Sequence, residues 1–305
     1  MSEATAQASG GGKKKAPPPK VHEEDHGHGH GHGAHGEHPF LAHHFDTPEQ
    51  QFEAGKLGIW LFLVTEVLFF AGLFCAYTIY RAMNPEVYEY AHYFLDTNMG
   101  AINTVVLLVS SFTAAYAVRC AQVADKGKLM VNIVITILCA SAFMCVKYFE
   151  YSHKAHDGLL PGKHFHPKES LHELPRFKQK HPEAAELAER IKAGKVDANE
   201  KLTEKQVGPL LRAGMISAQE VKEGKLTTLT HPPKTHVFFG IYFFMTGLHG
   251  LHVLIGIGIW VWMLIKASKG VFNKQYFGPI DYSALYWHLV DLIWIYLFPL
   301  LYLIS

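Results

Sequence analysis

The sequence predicts an all-α integral membrane bundle of five transmembrane helices, with a His-rich disordered N-terminal tail and a helical extramembrane insert between helices three and four. Five stretches are apolar and carry little or no charge: Leu57–Tyr80, Met99–Val118, Leu129–Val146, Val237–Ile265 and Ala284–Ile304. Each approaches or exceeds the roughly 20 helical residues that cross a hydrocarbon core. The charged residues and most of the 15 prolines collect between and before these stretches. Averages over 305 residues, 49% hydrophobic and 18% charged, would equally suit a soluble protein of two domains. The distribution decides for the membrane.

Residues 1–40 form the tail. A Gly/Lys/Pro start leads into a run in which His26, His28, His30 and His32 alternate with glycine, a composition that cannot bury a core. Imidazoles of this kind offer weak, non-specific binding of zinc, copper or nickel, or buffering near neutrality, or no specific role. No apolar stretch follows the N-terminal lysines, so the first span is expected to serve as the internal insertion signal. Residues 41–151 hold spans one to three, preceded by a lead-in whose Phe40, Phe45 and Phe52 suit the headgroup level. The third span, the shortest, is extended by the amphipathic Lys147-Tyr-Phe-Glu150-Tyr.

Residues 152–235 are the insert. Pro182 before Glu-Ala-Ala-Glu-Leu, with Gly194 as stop, predicts a helix over 182–193. Thr203…Gln206 and Ser217…Glu220 have the capping-box form and predict helices over 204–213 and 218–223. Its few aromatics, Phe165 and Phe177, point to a small core that leans on a membrane surface or a neighbouring subunit. Residues 236–305 hold spans four and five. Basic residues of the short loops set orientation: Arg119, Lys126 and Lys128 lie between spans two and three, and Lys266, Lys269 and Lys274 between four and five. They place the N-terminus in the cytoplasm and the insert and C-terminus outside. A net charge of +1 singles out no partner, and nothing points to nucleic acid. The four cysteines, without a C-x-x-C pair, imply neither a disulfide framework nor a thiolate metal site.

Polar residues inside the spans are the candidate functional set. Glu66 is the one Asp, Glu, Lys or Arg in the first stretch. A carboxyl at that depth costs about 2.5–3.5 kcal/mol on insertion scales, and hydrocarbon favours its neutral form. It either locks helices through hydrogen bonds or serves a proton path or lipid contact. In span one Gly58, Thr65 and Gly72 make a small-residue seam; in span two Asn103, Ser110, Ala114 and Ala117 share a face suited to close helix contact. His249 and His252, at i and i+3 in span four, share a face, with Gly256 beneath His249. A membrane haem needs imidazoles from opposing helices, and His288 is the single cross-helix candidate. No Glu-x-x-His di-iron pattern occurs in the spans. In span five His288 and Asp291 are spaced to pair, while Trp287 and Trp294 suit an interfacial belt. Asn103, Glu150, His249, His252, His288 and Asp291 are expected to form a buried polar network.

LGIWLFLVTEVLFFAGLF around Glu66, INTVVLLVSSFTAAYA in span two, FFMTGLHGLHVLIG in span four and YWHLVDLIW in span five resemble subunit III of the haem–copper oxidases, the cytochrome c oxidase third subunit. Five spans are similar to the bacterial form that lacks the first two of seven. The resemblance implies a subunit with no redox cofactor of its own, beside a catalytic subunit I that holds haem and copper. It implies phospholipid in a cleft near Glu66, the family's intramembrane glutamate, and a role in stabilising the catalytic subunit and supporting its proton uptake during oxygen reduction and proton pumping. The location it implies is the bacterial inner membrane. The His-rich tail and the insert, at roughly 155–235, have no counterpart in the family pattern. The insert, on the outer side, is a candidate contact for cytochrome c. A quinol oxidase or the accessory protein of a nitric oxide reductase are the near alternatives. An independent transporter or a b-type haem carrier is the distant one, and no broken-helix pair or inverted repeat favours a transporter.

Overall fold

Proline and hydroxyl or carboxylate caps punctuate the chain into ten helices among the described residues. In the computed structural model these are 41–42, 45–161, 165–197 and 200–304; His26, His28, His30 and His32 lie outside them. Helix α1 (Pro48–Met83) begins where Thr47 Oγ1 accepts the Gln50 N–H at 3.2 Å, with Pro48 in the first turn. Pro85 opens the short α2 (Pro85–Ala91), and a 3₁₀ turn, His92–Phe94, leads to Asp96, whose carboxylate caps α3 (Thr97–Gln122). Asp125 caps α4 (Lys126–His156) after a short connection from α3. Four short helices follow: α5 (Pro175–Lys180), α6 (Pro182–Lys192), α7 (Glu204–Arg212) and α8 (Ala218–Glu223). Then come α9 (Thr235–Ser268) and α10 (Gly278–Tyr302). The described residues thus contain five helices long and apolar enough to cross a membrane: α1, α3, α4, α9 and α10.

The α3–α4 hairpin packs on α9 and α10, and α10 is the most enclosed of the spans. Thr113 and Thr136 hydroxyls meet at 2.8 Å across the hairpin, while Thr97, Thr104 and Ser110 of α3 bond Tyr302, Trp294 and Trp287 of the antiparallel α10. The two indoles are fully buried and donate to the Thr104 and Ser110 hydroxyls at 3.0 Å. Trp287 and Trp294 are therefore core pillars and form no interfacial belt: a buried indole N–H needs an acceptor, and α3 supplies one to each. Gly256 makes the approach possible, since a Cβ there would lie 2.5 Å from the Trp287 ring. The seam expected of Gly58 and Gly72 is not used, for no other atom comes within 4 Å of a Cβ at either position. Helix α1 instead runs parallel to α10 and touches it through larger groups. The Tyr282 hydroxyl donates to the Phe52 carbonyl at 2.8 Å, Phe74 meets Tyr296, and the Tyr77 hydroxyl donates to the Leu300 carbonyl. The far face of α1, including Leu57, Leu61 and Leu68, is exposed, which suits lipid or another subunit and not water.

The insert builds its own apolar cluster from Leu171, Phe177, Leu187, Ile191 and Leu210, and completes it with Tyr90 and Tyr93 from the α2 region. The surface it leans on thus belongs to this same chain. Capping boxes open α7 and α8, and ion pairs Lys178–Glu189 (2.9 Å) and Lys192–Glu173 (2.6 Å) tie α5 and α6 to their surroundings.

Candidate functional site: a carboxyl–imidazole pair at an apolar groove

Glu66 of α1 and His252 of α9 meet across the groove between the two helices. Glu66 Oε2 lies 3.0 Å from His252 Nε2, with the side chains 19% and 14% exposed. The other ring nitrogen decides the proton count. Nδ1 is 2.8 Å from the Leu248 carbonyl, and a carbonyl only accepts, so Nδ1 carries a hydrogen. The Nε2–Oε2 contact then holds a single proton, either as glutamic acid with neutral imidazole or as carboxylate with imidazolium. Both forms are neutral overall, which lowers the cost of placing the pair at this depth. The Phe70 ring lies edge-on to the imidazole at 5.3 Å, and the Tyr286 hydroxyl donates to the His252 carbonyl at 3.0 Å, fixing this turn of α9 against α10.

The pair borders a groove of about 680 Å³ between α1, α9 and the start of α10. Its walls are Ile59 and Phe62 of α1, Ile255, Ile259 and Trp262 of α9, and Tyr282 and Tyr286 of α10. An apolar groove with a neutral polar pair at one end suits a hydrocarbon chain with one hydrogen-bonding group.

The remaining sequence candidates do not form one network with this pair. His249 points away from the groove, into the four-helix interior, against Phe143 (5.6 Å) and Trp294 (5.3 Å), and neither ring nitrogen has a hydrogen-bond partner among the described residues. Residues three apart on a helix diverge by about 60°, enough to send the two imidazoles into different compartments when α9 sits between two neighbours. Asn103 is fully buried and its amide is likewise unpartnered. His288 does not pair with Asp291: its Nδ1 contacts the Ser111 hydroxyl at 2.7 Å, and Asp291 interacts with that same serine.

Glu150 stands in a cluster of its own. Its carboxylate accepts from Lys147 (2.7 Å), Lys154 (2.8 Å), Tyr242 (2.8 Å) and Tyr302 (2.6 Å), and the Lys147 ammonium sits 4.5 Å over the Trp294 ring. Both lysines were outside the candidate set. Their spacing, Lys147, Glu150 and Lys154 at i, i+3 and i+7, is a one-face pattern visible in the sequence.

The sequence model described as Cytochrome c oxidase subunit III matches residues 36–174 and 219–305, most of the chain. This chain belongs to the cytochrome c oxidase subunit III family. It is 26% identical to a cytochrome c oxidase subunit 3 of Thermostichus vulcanus, over 82% of this chain and 87% of that one. It is 24% identical to two proteins of Bacillus subtilis (strain 168): a quinol oxidase subunit 3, over 84% of this chain and 92% of the relative, and a cytochrome c oxidase subunit 3, over 85% and 92%. Glu66, His252 and the groove all lie within the matched residues. Besides residues 1–35, the segment outside the family match is 175–218, which holds α5, α6 and α7 and is narrower than the 155–235 expected from the sequence.

Proposed function

We propose that this subunit III is the non-redox accessory subunit of an aerobic cytochrome c oxidase. It braces the catalytic subunit and supports proton uptake while the complex reduces oxygen and pumps protons. The observation that carries this reading is the Glu66–His252 contact at the apolar groove. One proton shared between two bases, neutral in either form, lets α1 and α9 enclose a phospholipid chain without an uncompensated charge. Haem and copper belong to the partner subunits in this reading, with the catalytic subunit I docked on the exposed apolar faces. The cytoplasmic placement of the N-terminus is supported by the basic loops. The α3–α4 and α9–α10 connections meet at one end, where the Lys126 ammonium donates to the Ser268 carbonyl at 2.7 Å, and such loops stay on the inner side.

The test is removal of the chain from the purified complex. The expected result is slower proton uptake and a shorter working life with the haem spectrum retained; loss of all haem signal would count against an accessory role. A quinol donor is the second reading, favoured by the relative named a quinol oxidase subunit 3. Oxidation of reduced cytochrome c, against oxidation of a quinol, by the purified complex separates the two. Deleting 175–218 tests the insert as a donor contact, and unchanged donor affinity and unchanged subunit composition would remove that role.

A further inference from the structure

We propose that the hollow where the insert meets the bundle binds a phosphate-class oxyanion, delivered by the headgroup of a membrane phospholipid. Its floor is His92 and Tyr93, from the turn after α2; its wall is Arg176, Gln179 and Lys180 of α5; Ile304, just past α10, closes the side. The volume is about 260 Å³.

Charge marks this hollow. On the neighbouring helical turns, carboxylates hold three cations: Lys178 with Glu189, Arg190 with Glu200 and Lys192 with Glu173. Among the described residues neither Arg176 nor Lys180 has a carboxylate within ion-pair distance. Arg176 donates to the Leu95 carbonyl, which anchors a guanidinium whose other N–H groups stay available, and a planar donor fork suits phosphate. The Lys180 ammonium lies over the Tyr93 ring, 5.6 Å from its centre. His92 is 3% exposed, and its ring forms part of the floor. The opposing charge is the Glu89 carboxylate, which acts on both His92 and Tyr93. Two fixed cations and an imidazole thus face one carboxylate.

Position supplies the source. Asp96 caps α3 just beyond the floor, and Ile304 follows the last turn of α10, so two spans end beside the hollow. Span ends of this kind lie at the level of headgroup phosphates. A guanidinium and an ammonium at that level suit the phosphate of an anionic headgroup on the outer leaflet. Because Arg176, Gln179 and Lys180 lie in the segment outside the family match, the site is a property of this insert and is independent of the electron donor.

The experiment is native mass spectrometry of the full-length chain in its purified complex. The probes are dimyristoylphosphatidylglycerol, dimyristoylphosphatidylcholine and inorganic phosphate. The native protein should retain one more phosphatidylglycerol than Lys180→Glu, and at this site prefer it to phosphatidylcholine; any lipid held in the Glu66–His252 groove is common to both. Lys180→Glu, at an exposed position that leaves the fold intact, should weaken retention about tenfold or more; Arg176→Gln should act in the same direction. Lys178→Gln, on the same helix but outside the hollow, should leave it unchanged. Displacement by phosphate with no preference between the two lipids assigns the oxyanion to the free ion. Equal retention in the native protein and Lys180→Glu with no effect of phosphate, or equal loss in Lys178→Gln, overturns the site.

Discussion

Replacing Glu150 by glutamine tests whether the Lys147–Glu150–Lys154 cluster is a dry, charged lock between α4, α9 and α10. The carboxylate holds two ammonium groups at 2.7 and 2.8 Å and two tyrosine hydroxyls at 2.8 and 2.6 Å. The side chains of all three charged residues are only 3–7% exposed. An amide keeps the two tyrosine bonds but strands both ammonium groups without their bonded counter-charge. Breaking a buried pair from one side costs about 3–5 kcal/mol. At about 2–4 °C per kcal/mol for a protein of this size, the loss is on the order of 10 °C. The assay is thermal unfolding of the purified complex in detergent, followed by tryptophan fluorescence, because Trp294 lies against the Lys147 ammonium. Replacing all three charges together, Lys147→Met, Glu150→Gln and Lys154→Met, should recover much of the loss, since no unpaired charge remains. A Glu150→Gln midpoint within about 2 °C of the native protein would mean that water or another group already screens the lysines, and the reasoning fails.

Glu66→Gln should leave assembly and unfolding almost unchanged, by less than about 1 kcal/mol, because the amide can donate to Nε2 of a neutral His252; collapse of the complex on this change would sink the shared-proton reading. Gly256→Ala should cost about 1–3 kcal/mol through its clash with the buried Trp287 ring, while Gly258→Ala, with open space around it, should be neutral; unfolding midpoints of the two variants side by side check this. The insert should loosen in acid. Burial holds His172 below its ordinary pKa, with Glu173 and Glu189 opposing and Lys192 and Lys178 reinforcing the shift. The folded form therefore binds the proton less readily than the unfolded one. The stability His172 contributes is full above about pH 6.5 and drains away as pH falls below it toward the folded value. Amide exchange across α5 and α6 should quicken over that window, and His172→Phe should reduce the effect without abolishing it, because burial lowers His181 in the same direction.

Hydrocarbon enforces a legible code, so the membrane architecture could be read from the chain. A span must satisfy its backbone internally and present apolar side chains over a set length. Hence Leu57–Tyr80 and the four stretches after it announced α1, α3, α4, α9 and α10, and local hydroxyl–carboxyl spacing announced the helices at Thr203 and Ser217. Glu66 stood out for the same reason, as a carboxyl where none is tolerated without cause, and the surrounding motifs pointed to the family.

Which groups meet depended on helix rotation and on partners distant in the chain. Glu66 and His252 are 186 positions apart, and their pairing requires α1 to lean on α10 while α9 turns His252 away from His249. Trp287 and Trp294 suited an interfacial belt until α3 placed Ser110 and Thr104 against their N–H groups. The insert, short of aromatics, completed its core with Tyr90 and Tyr93 from the α2 region, and that contact created the basic hollow. Sequence periodicity assigns residues to the faces of a helix. Only packed helices determine which faces meet, because the roughly 60° between residues three apart is enough to choose a different neighbour.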